Sequence, residues 1–250
     1  MYRYCITLSY NGTRFGGWQI QLNSMSIQQC LQERLSLLLR QDIEVTGAGR
    51  TDAGVHARFM AAHFDCEKEI PDTALIVRKL NSMLSKDIAI KNIFRVGHEF
   101  HARFSALSRT YEYNVTSVKN PFTYEWVYRM PLEKIDFGKM NRACRVLFEY
   151  EDFTSFSKLH TDVKTNNCKI YSARWKKKGD VWTFRIQADR FLRNMVRAIV
   201  GTMFDIGWGK ITVRDFRNII EAKDRCKAGS SAAACGLSLV EIEYPENSFR

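Results

Sequence analysis

No C-x-x-C pair occurs among the seven cysteines, at positions 5, 30, 66, 144, 168, 226 and 235. An odd number at scattered spacing reads as reduced thiols, most of them small core residues, rather than disulfides or a structural zinc site. No stretch of about 18 apolar residues is present to cross a membrane. Polar residues interrupt every apolar run in the opening M-Y-R-Y-C-I-T-L-S-Y-N-G, so no signal peptide is expected, and the expected compartment is cytoplasmic. Metal and nucleotide signatures are missing as well. In G-H-E-F-H-A, His98 and His101 are one residue short of the i, i+4 spacing that puts two zinc ligands on one helix face. In G-A-G-R-T-D, Asp52 stands where a dinucleotide-binding loop has its third glycine, and its charge would face a pyrophosphate. No G-K-[ST] ending makes a phosphate loop of it. The expectation is no metal, no nucleotide cofactor and no membrane.

Acidic residues are also in short supply, 27 against 38 Lys+Arg, for a net charge of +11. The imbalance is uneven: residues 1–100 carry 12 basic and 10 acidic side chains, and residues 101–250 carry 26 and 17. A polyanion, most simply a nucleic acid, is the expected partner, met mainly by the C-terminal part. A chain of 250 residues with 45% hydrophobic content has ample surface to bury a core.

Periodicity places the elements. Tyr4, Ile6, Leu8 and Tyr10 alternate with polar residues as a half-buried strand. Ser26 with Gln29 reads as a capping box opening a helix through Ile27, Leu31, Leu35 and Leu38. The loop Gly47–Gly54 leads into a strand through Phe59, Ala61 and His63, and Pro71-Asp72 opens a second helix. Tyr111, Tyr113 and Val115 then begin another round of strand and helix. Strands at 168–177 and 181–188 meet at the turn Lys178-Gly179-Asp180. Helices are expected over about 190–206 and 212–223, with a last strand through Val240 and Ile242. The class is therefore α+β in two halves, 1–105 and 106–250, without a low-complexity linker between them.

On the expected helix at 190–206, Arg190, Arg193 and Arg197 share one face. For Arg190 and Arg193 a solvated basic stripe and a phosphate contact are equally open. Arg197 lies deepest in the apolar stretch, where an arginine needs a carboxylate partner, and Asp52 is the candidate. Lys176 and Lys177, beside Arg174 and Lys178, form either a solvated hairpin tip or a contact to a nucleic-acid backbone.

G-A-G-R-T-D-A-G-V-H-A at 47–57 resembles the signature loop of the tRNA pseudouridine synthase A family. Y-N-G-T-R-F-G-G-W-Q at 10–19, which includes Arg14, is similar to the family's opening motif, with Asn11 where aspartate is commoner. F-H-A-R-F-S-A at 100–106 with R-T-Y-E-Y at 109–113, F-L-R-N-M-V-R-A-I-V-G-T at 191–202, and G-L-S-L-V at 236–240 complete five ordered matches. The segment before G-L lacks the family's frequent prolines.

The resemblance implies a cofactor-free isomerase that makes pseudouridine in the anticodon arm of tRNA and works as a homodimer. The implied fold is the pseudouridine synthase α+β architecture, two related halves sharing a mixed, mostly antiparallel central sheet flanked by helices. The first half would carry the catalytic loop and the more basic second half would complete the cleft. Asp52 matches the catalytic aspartate and Arg197 the arginine that pairs with it. Tyr111 matches the tyrosine that stacks on the target base, and Arg50 the arginine that fills the gap left by the flipped nucleotide. Arg14, Arg190, Arg193, Lys176 and Lys177 are weaker candidates for RNA contact. The chemistry is consistent: a carboxylate attacks only when ionised, a neighbouring guanidinium favours that form, and an extruded uracil needs an aromatic face.

Overall fold

The computed structural model describes residues 1–158 and 165–249. By its internal contacts the chain divides into two units, Met1–Leu107 with Leu239–Arg250, and Ser108–Ser238.

The first unit contains strand β1 (Tyr2–Tyr10), helix α1 (Ile27–Leu39), the short strand β2 (Thr46–Gly47), strand β3 (His56–Cys66), helix α2 (Thr73–Met83) and strand β4 (Ile88–Val96). β1 runs between β3 and β4 and is antiparallel to both, so that Ile6 faces Ala62 on one side and Ile93 on the other. It is buried more deeply than its alternation predicts. Cys5 and Thr7 are covered along with Tyr4, Ile6 and Leu8, as small residues on a central strand can be. Helix α1 buries Ile27, Leu31 and Leu35 completely, and Ser26 accepts a hydrogen bond from the Gln29 amide at its start. Gln29 does not return the bond to Ser26: its side chain donates to Glu33 one turn further on. The expected capping box is therefore half made. Asp72 caps α2 by accepting from Leu75, and α2 packs on β4.

The second unit contains strands β5 (Ser108–Thr116) and β6 (Tyr128–Arg129), helix α3 (Phe137–Val146), strands β7 (Ile170–Lys178) and β8 (Val181–Ala188), and helices α4 (Met195–Gly207) and α5 (Val213–Glu221). β8 lies between β5 and β7 and is antiparallel to both, whereas β6 adds to β5 in parallel, so the strand arrangement is mixed and mostly antiparallel. The β7–β8 turn is made by Gly179 at a φ of 58°. Aromatic rings fill the space between strands and helices: Trp175 of β7 stacks on Phe184 of β8 at 5.2 Å, and Phe204 of α4 leans on both Trp175 and Tyr113. Thr212 and Asp215 form a complete capping box at the start of α5. The last strand, β9 (Leu237–Glu243), takes the chain back into the first unit, where the Glu243 carbonyl accepts from Leu107 and the Tyr244 hydroxyl donates to Ala102.

One expected helix begins later than its apolar spacing predicts. α4 starts at Met195, because Asn194 adopts a left-handed backbone at φ 65° and breaks the turn before it. Arg190 and Arg193 thus stand before the helix, Arg193 in the turn that the Met195 amide closes on the Leu192 carbonyl, and share no helical face with Arg197. α4 itself is nearly all buried, and the Ser230–Ala232 backbone lies directly against Gly201. A methyl group there would run into the Ser230 carbonyl. Gly201→Ala is expected to lower the free energy of unfolding by about 1–3 kcal/mol through overpacking. Urea denaturation checks this, and an unchanged midpoint would show that the 228–232 segment is not held against α4.

Candidate active site

The glycine-rich loop leaves β2 and enters β3, two strands that pair with Thr46 opposite His63 and Gly47 opposite Ala62. The Ala48 amide donates to Ala61, which carries the pairing one residue further. Beyond it the exposures alternate: Arg50 is exposed, Thr51 buried, Asp52 partly exposed, and Val55 and His56 buried. The loop therefore leaves Arg50 exposed and Asp52 partly exposed, and anchors itself by the residues between and after them. A tight turn closes it, with the Val55 amide donating to the Asp52 carbonyl at 3.1 Å and Gly54 at φ 76°, a conformation open to glycine.

The 10–18 segment holds this loop from behind. The Trp18 amide donates to the Thr51 carbonyl at 3.2 Å, and the Gly54 amide donates to the Phe15 carbonyl at 3.3 Å. The Gly12 amide donates to Nδ1 of buried His56 at 3.1 Å. The hydroxyls of Tyr10 and Thr51 meet at 2.9 Å. Gly17 stands so close to the Thr51 carbonyl that a side chain would not fit. Asn11, where the family favours aspartate, still acts as a local cap by accepting from the Thr13 amide. Arg14 projects from this segment and pairs with Asp87 at 2.8 Å while staying largely exposed.

In the second unit, Tyr111 sits on β5 opposite Ile186, mostly buried, with its ring edge-on to Phe191 at 5.2 Å. Phe191 belongs to the segment before α4 that carries Arg190 and Arg193. Arg197, in the first turn of α4, is half-buried, and its Nε donates to the Ala232 carbonyl at 2.8 Å, while the Ala232 amide returns a bond to the Arg197 carbonyl. Lys176 and Lys177 are exposed on β7, next to the hairpin turn, with Trp175 beside them turned into the core. Arg50, Asp52 and Arg14 thus belong to the first unit, and Tyr111, Arg190, Arg193, Arg197, Lys176 and Lys177 to the second. Among the described residues no three His, Cys, Asp or Glu side chains gather as metal ligands, and no helix is long and apolar enough to cross a membrane.

A model of the tRNA pseudouridine synthase family matches residues 6–105 and 143–245 of this sequence. The chain belongs to the tRNA pseudouridine synthase family. Proteins named tRNA pseudouridine synthase A resemble it over its full length: that of Parabacteroides distasonis is 58% identical, covering 100% of this chain and 98% of its own. That of Bacteroides fragilis is 56% identical over 99% and 98% of the two chains, and that of Porphyromonas gingivalis 52% over the whole of both. Among solved structures, a crystal structure of a Cbf5-Nop10-Gar1 complex aligns at a TM-score of 0.36 and 11% identity, over 85% of this chain and 44% of that one. The pseudouridine synthase fold, α+β with a mixed sheet and flanking helices, is the fold of the family, and its members are isomerases.

Sequence reasoning missed the partners that hold the loop. Tyr10 reads as one more alternating strand residue, yet its hydroxyl reaches the residue before Asp52. The motif Y-N-G-T-R-F-G-G-W-Q begins at that tyrosine, and this was the available signal. His56 and His101 both serve as acceptors for backbone amides, His101 from Arg103 and Phe104. His63, at the root of the loop, is pushed down to about 4 by burial, with His101 and Arg3 adding to the effect. Its unfolded counterpart titrates near 6.5. Between these values the unfolded chain takes up a proton that the native chain refuses, so the His63 contribution is complete above pH 6.5 and is lost as the pH falls toward 4. The unfolding midpoint is expected to drop over this range, and less steeply in His63→Gln. Parallel curves for the two proteins would remove His63 as the cause.

Proposed function

We propose that this chain converts uridine to pseudouridine in the anticodon arm of tRNA, at about positions 38 to 40, flipping the target base out of its stack. Asp52 is the nucleophile, Arg197 its charge partner, Tyr111 the aromatic face for the extruded uracil, and Arg50 the side chain that fills the vacated place. The observation that carries the reading is the placement of Asp52: in a chain of net charge +11, a partly exposed aspartate sits in a glycine-rich loop whose back is hydrogen-bonded in place. A protein that only bound RNA would gain nothing from a carboxylate facing its polyanion.

The reaction breaks the bond between the ribose and the ring nitrogen, turns the uracil, and joins the same ribose carbon to carbon 5 of the ring. The hydrogen at carbon 5 leaves as a proton and the freed nitrogen takes one up, so no oxidant, reductant or cofactor is called for. Arg14, Arg190, Arg193, Lys176 and Lys177 meet phosphates, in keeping with the exposure of Arg14, Arg193, Lys176 and Lys177 and the partial exposure of Arg190. The enzyme acts in the cytoplasm as a homodimer whose two subunits share one tRNA.

Tritium release from tRNA carrying 5-tritiated uridine reads the reaction directly. Wild type is expected to release tritium, and Asp52→Ala to lose at least about 10⁴-fold in rate while binding tRNA within a few-fold of wild type. Loss of binding together with activity would make Asp52 a structural residue. Arg197→Ala is expected to slow release about tenfold or more, with only partial recovery in Arg197→Lys, since an ammonium lacks the guanidinium fork. An unchanged rate would remove Arg197 from the site.

A further inference from the structure

We propose that the hydroxyl pair of Tyr10 and Thr51 is a positioning device for the isomerisation: it fixes the Arg50–Asp52 segment at the angle the reaction needs, without touching the RNA. The proposal rests on the catalytic reading of Asp52 given above. The two oxygens lie 2.9 Å apart, and both residues are buried, Tyr10 at 5% exposure and Thr51 at 7%. Thr51 is the inward residue between the outward Arg50 and the partly exposed Asp52, so whatever holds its side chain sets the direction of both neighbours. The Thr51 carbonyl is held separately by the Trp18 amide at 3.2 Å. Residue 51 is therefore gripped at both side chain and backbone, and its freedom to rotate is removed.

Physical chemistry explains why hydroxyls are informative here. A buried hydroxyl is costly unless it is hydrogen-bonded, and valine and phenylalanine would fill the same volumes without that cost. Apolar side chains would serve packing alone. A hydrogen bond adds what packing lacks, a preferred angle and distance. Tyr10 ends β1, the central strand of its unit, and its ring also leans on Trp18 at 6.3 Å. The loop is thus referenced to a strand that is paired on both sides. Displacements of about 1 Å at a reacting group can cost about 100-fold in rate, so a bond of ordinary strength has leverage at this position.

The test compares wild type with Tyr10→Phe, Thr51→Val, Thr51→Ser and the Phe/Val double variant. Three readouts are taken: single-turnover tritium release, tRNA dissociation constant and unfolding midpoint. Positioning predicts a rate roughly 10- to 100-fold lower in Tyr10→Phe and in Thr51→Val, with tRNA affinity within about threefold of wild type. Thr51→Ser, which keeps the hydroxyl, is expected to stay near wild type. The double variant should be no slower than the slower single variant, since both remove one bond. Unchanged rates in the folded single variants would overturn the proposal. So would multiplicative losses in the double variant, or a rate loss that follows loss of folding or of tRNA binding. No tritium release by wild type would instead overturn the isomerase reading, and the positioning role with it.

Discussion

The attachment of the 10–18 segment to the 51–56 loop is the constraint on which the rest of the first unit depends. A reacting carboxylate has to be reachable by its substrate, and reachable backbone is ordinarily yielding backbone. On the catalytic reading proposed for Asp52, the conflict is resolved by hydrogen bonds from the 10–18 segment to the loop. Trp18, Gly54 and Gly12 supply amides, His56 an imidazole nitrogen, and Tyr10 a hydroxyl. Each bond joins residues far apart in the chain, so together they bring the end of β1 and the start of β3 to bear on one short stretch. The loop can then face outward without moving. Preorganisation of this kind places the reacting group before the substrate arrives, which is where much of the value of an enzyme scaffold lies.

The second unit solves a different problem, carrying a large excess of positive charge on a stable frame. Its interior is closed by aromatic stacking, Trp175 on Phe184 and Phe137 on Trp182 at 3.8 Å, which stabilises the hairpin by burial that charge cannot perturb. The lysines flanking Trp175 on β7 are then free to point outward, and lysines on such a strand also discourage unwanted strand pairing. Several of the unit's ion pairs lie at the surface, as Lys139 with Asp136 does, and such pairs add little to stability. The charge excess is therefore better understood as serving a partner than as serving the fold.

How much of this could be read beforehand follows from the range of each interaction. Elements set by local rules were legible: α1 from its Ser26 cap and the Ile27–Leu31–Leu35 stripe, the β7–β8 hairpin from Gly179, and α5 as a helix over about 212–223. β4 was not, because its apolar residues Ile88, Ile90, Ile93 and Val96 lose their period at a register shift opposite Thr7 and Leu8. The start of α4 was misjudged because Phe191, Leu192 and Arg193 keep helical spacing, and only the backbone angle of Asn194 interrupts it. The site divides along the same line. Asp52, Arg50, Tyr111 and Arg197 were identified through contiguous motifs that resemble a known family. The bonds that hold Thr51 and His56 reach back more than 30 residues, and only the motif that begins at Tyr10 points to them. Likewise no pattern near Leu239 indicates that the chain there rejoins the first unit.

The two uses of positive charge differ in range, and so in their response to salt. Attraction between exposed lysines or arginines and phosphates acts across solvent, where screening at about 0.15 M salt sets in near 8 Å. Each phosphate contact releases a counterion, so binding through Arg14, Lys176 and Lys177, as proposed, would weaken steeply as salt rises. A guanidinium in contact with a carboxylate, as proposed for Arg197 and Asp52, is shielded far less, because little solvent lies between the partners. Recruitment and chemistry therefore separate along one experimental axis. On that proposal, raising the salt concentration would act on the recruitment of tRNA far more than on the chemistry of tRNA already bound.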